Sequence, residues 1–320
     1  MSIPQSELAV RSAAAKKHSN WQTIRRDLKV NKLVYLMVLP VVAYYLIFHY
    51  GPMYGLQIAF KDFSPGQGIT GSPWIGFRHF QEFFESYYFW RLIRNTVLIN
   101  IYELLFGFPA AILLALLLNE IRSTIFKRSV QTISYLPHFI SIVVVVGMMV
   151  DFLARDGLIN QLIGLLGLDS IAFFREPAWF RFLYVSSGIW QGVGWGSIIY
   201  LAAIANIDPT LYEAAKIDGA GRLKQVLHIT IPGIMPTIVI LLILNMGSMM
   251  TVGSEKVLLM YNPQTYETGD VISTFVFRKG ILEANYGYTA AVGLFNSVIS
   301  FTLIVLSNTI SKRVSENKLW

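Results

Sequence analysis

Few residues in this chain could do chemistry, and they are scattered. One acid, Glu103, interrupts an apolar run between Thr96 and Leu118. A carboxylate at such a depth in apolar sequence is expensive unless it faces protein or water. No glycine in the 320 residues is followed by lysine, so a phosphate-binding GxxxxGK[ST] loop is excluded. The five histidines, at 18, 49, 79, 138 and 228, show no metal-ligand spacing. Nucleophile elbows and paired carboxylates do not stand out, and the absence of cysteine excludes thiol chemistry. The chain thus offers no catalytic residue, no metal site and no ATPase of its own. What remains is uncharged and polar: Asn245, Ser248 and Thr251 at helical spacing, Asn296 and Ser300 with Ser297 between them, and Gln191 beside Trp190. Such groups suit hydrogen bonding to a hydroxyl-rich solute.

A second group of residues is built for contact. Residues 208–236 form a mixed-charge, helix-prone segment between two apolar runs. Asp208-Pro209 supplies an N-cap and a proline at the first helical position, so a helix starts there. Glu213, Ala214 and Ala215 follow, and Asp218-Gly219-Ala220 reads as a stop. Arg222 to Ile229 then forms a second short helix, and Pro232 and Pro236 reset the chain before the next apolar run. The product is a knob in which small alanines allow close approach and Glu213 and Arg222 offer charge-assisted contacts.

The elements that position these residues follow from composition. With 54% hydrophobic and 14% charged residues and a mean hydropathy of +0.52, the chain is an all-α integral membrane protein. A net charge of +7 would suggest nucleic acid in a soluble chain, but here its sidedness matters more. Six spans are expected, at 33–48, 96–118, 134–152, 182–205, 234–252 and 289–310. Residues 1–32 form a basic arm in which Trp21, Ile24 and Leu28 share the face of a surface helix. The body runs from 33 to 311 and a basic tail from 312 to 320, with the first span an uncleaved anchor. Lys and Arg number 16 on the side of the termini and 10 on the other, so both termini and the 208–236 loop are expected in the cytoplasm.

Some positions carry two readings. The stretch from Phe77 to Trp90 is dense in aromatics that either anchor at the interface and pack on the bundle or stack on sugar rings. Gly188, Gly192 and Gly196 recur every four residues, as in close helix contact, while Trp190, Gln191 and Trp195 alternatively border a polar path. Asn245, Ser248 and Thr251 either line a pore or bond between helices. His138, beside Pro137, reads as a packing or capping residue.

The order Glu213-Ala214-Ala215, three residues, Gly219, nine residues, Ile229, then Ile231-Pro232 resembles the EAA loop of permease subunits in ATP-binding-cassette importers. Ile231 departs from the family's usual leucine. Further stretches, including FKDFSPGQGI, FWRLIRNT, FKRSVQTISYLPHFIS and IWQGVGWGSIIYLAAIANIDPTLYEAA, resemble the complex-oligosaccharide (LplB-type) branch of the carbohydrate-uptake-1 family. The resemblance implies the six-helix type I importer fold, in a bacterial cytoplasmic (inner) membrane. It implies a second permease, two cytoplasmic ATPases that use ATP and Mg, and an extracytoplasmic solute-binding protein. It also implies an oligosaccharide cargo carried by alternating access, with the 208–236 loop docked on the ATPase. A permease for another solute, an ion-coupled transporter using Glu103 and a polysaccharide-acting membrane enzyme are the competing readings.

Overall fold

The computed structural model describes residues 27–314. The expected surface helix carrying Trp21 and Ile24, and the tail beyond 314, lie outside the described residues. Within them the chain is helical, with one isolated antiparallel bridge between Lys61 and Trp74. It divides into two compact units, Met1–Gln57 and Ile58–Trp320. The first unit is dominated by helix α1 (Lys32–Phe60), which passes Pro40 without breaking. It is longer than the expected 33–48 because wide and tight helical turns carry it through the aromatic and glycine residues that follow Phe48.

In the second unit, α2 (Arg78–Glu85) precedes the long α3 (Phe89–Glu120). Helices α4 (Thr124–Phe139) and α5 (Ile142–Phe152) lead through α6 (Leu158–Leu165) to α7 (Pro177–Ala205). Next come α8 (Pro209–Ile217), α9 (Arg222–Gly247), the short α10 (Ser254–Met260) and α11 (Ile272–Phe277), and finally α12 (Tyr286–Val314). Helices α1, α3, α7, α9 and α12 are long and apolar enough to cross a bilayer.

The third span departs from expectation. Instead of one helix over 134–152, α4 and α5 meet at a bend of 99°. Ile140 and Ser141 adopt extended backbone there, after the tight turn that begins at Pro137. A break in apolar surroundings exposes carbonyls that need donors. Gln191 on α7 supplies one, its Nε2 donating to the carbonyl of Ile140 at 2.8 Å. Gly194 allows α7 to come this close: a Cβ there would lie 2.0 Å from the carbonyl oxygen of Ser134.

Helix α9 is also unlike its forecast. The prolines do not reset the chain, and Arg222 to Gly247 is one continuous helix. A wide turn over Val226–Thr230 includes His228, whose carbonyl the ring of Pro232 would otherwise crowd. The helix stops at Gly247 rather than 252, so Ser248 is its cap and Thr251 lies past its end.

The aromatic stretch divides by face. Phe83 is fully buried against Phe275, Tyr288 and Phe295, whereas Tyr87 and Trp90 are exposed. His138 stacks flat on Trp195 with ring centroids 4.5 Å apart, a packing contact as anticipated.

A polar clamp fastens the segment after α10 to the long helices. Asp270, fully buried, accepts from Arg91 at 3.1 Å and from Arg278 at 2.8 Å, and Thr274 donates to its other oxygen. Burial works against the charge on Arg278, but the hydrogen bond and charge of Asp270 prevail and hold its pKa above the ordinary range. Asn95 on α3 donates to the carbonyls of Glu267 and Asp270 and accepts from Arg181 on α7. Each of these contacts crosses at least 86 residues of sequence, except those of Arg278 and Thr274.

Candidate functional site

Two places in the second unit gather the residues singled out by type. The first is a cleft of about 390 Å³ between α3, α7 and the end of α9. Glu103 enters from α3 at a wide helical turn, Glu103–Gly107, which interrupts the regular ladder near the middle of that helix. Such turns re-aim side chains and recur at functional sites. Asn245, Ser248 and Thr251 line the opposite wall. Within that wall Asn245 Nδ2 donates to Leu241 and Ser248 Oγ to Asn245, so helix termination itself orders the polar groups. Gly188, Gly192 and Gly196 form much of the third wall. Their lack of side chains makes room for the cleft more than for helix contact: a Cβ at Gly192 would meet nothing within 4 Å, while one at Gly196 would press on Ala111.

Other sequence candidates lie elsewhere. Trp190 borders a separate apolar recess with Met148 and Phe152, and Gln191 is committed to the broken span. Asn296 and Ser300 do not line the cleft. Asn296 Oδ1 and Ser300 Oγ are buried on α12 without a hydrogen-bond partner among the described residues. Lys256 is the residue missed, whereas Asn100 interrupts the same apolar run as Glu103. Asn100 belongs to the cleft wall one turn from Glu103. Lys256 sits beside α7 and has no nearby sequence signal, since it follows the fifth apolar run as an ordinary loop lysine.

The second place is the knob. Asp208 caps α8, its carboxylate accepting the Thr210 N–H at 2.9 Å, and that backbone bond holds its pKa below the ordinary value. The helix ends in a Schellman motif: Ala220 N–H reaches the Ala215 carbonyl at 2.8 Å and Gly219 N–H that of Lys216 at 3.1 Å. Gly219 has φ +74°, a region a side chain seldom adopts. Tyr212 hydroxyl bonds Thr230 at 2.9 Å, tying α8 to α9. Arg222 lies 3.7 Å from Glu120 at the end of α3. No α8 residue is buried; Glu213, Ala214, Asp218 and Gly219 are exposed, Ala215 and Ala220 half-buried, and Pro232 exposed at the start of the apolar part of α9. Ile217 and Leu223, unremarked in the sequence, are 87% and 73% exposed. Apolar side chains presented on a rigid, capped turn form a surface suited to a protein partner.

Comparisons with known proteins bear on both places. A family model described as binding-protein-dependent transport system inner membrane component matches residues 107–316. Protein LplB of Bacillus subtilis (strain 168) is 43% identical over 319 residues, covering 99% of each chain. The polygalacturonan/rhamnogalacturonan transport system permease protein YteP of the same organism is 45% identical over 290 residues, 90% of each. The fold is similar to a chain in the crystal structure of a bacterial alginate ABC transporter in complex with alginate pentasaccharide-bound periplasmic protein. That likeness has a TM-score of 0.86 and 45% identity, over 92% of this chain and 99% of that one.

Proposed function

The chain belongs to the family of inner-membrane components of binding-protein-dependent transport systems, and from that premise we propose that it is one of two permeases in an ATP-driven importer of oligosaccharides or polysaccharide fragments. The observation that carries the coupling part is the knob, whose capped helix, glycine turn and exposed Ile217 and Leu223 await a partner. In this reading the partner is a cytoplasmic ATPase pair, which supplies the ATP and Mg chemistry the chain lacks. Both termini and the knob face the cytoplasm, in keeping with the excess of Lys and Arg on that side.

The cleft serves as this subunit's half of the path. Its hydrogen-bonding wall of Asn100, Asn245, Ser248 and Thr251 suits hydroxyl groups, and the substrates named for YteP and for the alginate importer support a saccharide cargo. The cargo arrives on an extracytoplasmic binding protein, and ATPase closure swings the cleft outward to receive it. No bond in the sugar is made or broken. The test is to purify the tagged chain from its native membrane in mild detergent and identify what accompanies it. A second permease and a P-loop ATPase are the expected companions. A lone chain that supports uptake driven by an ion gradient overturns the proposal and makes Glu103 an ion-coupling residue.

A further inference from the structure

Two neighbouring opposite charges, Glu103 half-buried and Lys256 buried, are left unused by the transport reading. Glu103 lines the cleft from α3, and Lys256, 8% exposed, reaches the same face of α7 from α10. Between them stands Gly188. A methyl group built there would lie 3.3 Å from Lys256 Nζ and 3.5 Å from Glu103 Oε1. Both groups therefore approach the same face of α7, and the missing side chain leaves the gap in which they lie near each other. Lys256 Nζ is fixed on its own side, donating to the carbonyl of Tyr184 at 2.6 Å and resting 4.3 Å from the centre of that residue's ring.

We propose that Lys256 is a positioning residue that acts across the Gly188 gap to hold Glu103 as an ionised acceptor for solute hydroxyls in the translocation cleft. The proposal rests on the importer reading and deepens it by naming the group that meets the sugar. A neighbouring ammonium offsets the cost of a carboxylate in a mostly apolar wall. An ionised carboxylate accepts hydroxyl hydrogen bonds more strongly than a neutral amide does. Gly188 is in this account a specificity element, because any side chain there would wedge the pair apart. The titratable groups facing Lys256 are Glu103 on α3 and Tyr184 on α7. Burial lowers its pKa to about 8, with Glu103 opposing. Its charge, and with it the hold on Glu103, is therefore present at neutral pH and lost as pH rises through about 8.

The experiment uses the whole importer in proteoliposomes with its own binding protein. The probes are galacturonate oligosaccharides of three to five units and a neutral mannopentaose. If the wild type carries neither, the oligosaccharide reading falls and the inference with it. With the carried probe, Glu103→Gln, Lys256→Met and Gly188→Ala each lower the maximal uptake rate about tenfold, as expected for one charge-assisted hydrogen bond. The half-saturating concentration of loaded binding protein stays unchanged. Lys256→Arg keeps most of the rate at pH 7 and abolishes the alkaline fall that the wild type shows near pH 8. Should Lys256→Met fail to assemble, the double variant with Glu103→Gln recovers assembly but not uptake. Wild-type uptake in Lys256→Met or in the double variant overturns the inference, as does an alkaline limb that Lys256→Arg leaves in place.

Discussion

The knob at 208–236 and the Asp270 clamp are built by opposite means. The caps of α8 are local, Asp208 to Thr210, Ala220 to Ala215 and Gly219 to Lys216, and even its tie to α9, Tyr212 to Thr230, spans only 18 residues. The clamp instead joins Arg91, Asn95 and Arg181 to a segment near residue 270, and its central carboxylate is fully buried. A surface proposed to meet a partner gains from a shape set mostly by its own short sequence, because few contacts from the rest of the chain have to hold it. A loop that must stay in register with distant helices needs bonds to those helices. The difference teaches where tolerance lies: the knob loses its partner when its shape changes, and the clamp loses the fold when one charge goes.

Breaking the clamp has the largest expected effect. Asp270→Ala leaves Arg91 and Arg278 without their counter-charge and costs about 3 kcal/mol of stability. The measurement is the midpoint of thermal unfolding in detergent, and a shift below that of exposed-surface controls contradicts the clamp. The N-cap is a smaller lever. The pKa of Asp208 is depressed in the folded chain, so its contribution is present above the ordinary value of 3.8 and is lost as pH falls through the folded pKa. Protection factors of α8 amides, referred to the intrinsic exchange rate at each pH, should therefore fall on acidification from pH 6 to pH 3, less so in Asp208→Ala, where protection is already reduced. The smallest effect belongs to Arg222→Ala. Its ion pair with Glu120 is exposed and 3.7 Å long, so stability changes by less than about 0.5 kcal/mol. A marked fall in ATPase affinity in that variant would assign Arg222 to the partner rather than to Glu120.

The same contrast explains what could be read before the fold was known. Asp208-Pro209, Gly219 and the apolar runs announce themselves within a few residues, since caps, turns and spans are short-range phenomena. Glu103 was conspicuous as a charge in apolar sequence. Lys256 was not, since it comes near Glu103 only because α10 folds back beside Gly188, and Asp270 of the clamp looked like any loop acid. The bend at Ile140 and Ser141 stayed hidden for a similar reason. Pro137 marked the neighbourhood, but the donor that makes the bend tolerable is Gln191, 51 residues away. Pro232 and Pro236 misled in the other direction, because a wide turn and apolar surroundings let α9 run through them.

The most direct test of the central claim, that the knob transmits ATPase closure to the membrane helices, is Gly219→Val in the reconstituted importer. A β-branched residue at φ +74° adds roughly 1–3 kcal/mol of local strain and meets no neighbouring atoms, so the spans should insert and the Asp270 clamp should form as before. Uptake per ATP hydrolysed is then measured with saturating binding protein. The account predicts a fall of at least tenfold in that ratio, or loss of the ATPase from the purified complex. Unchanged uptake with the ATPase still bound would contradict it.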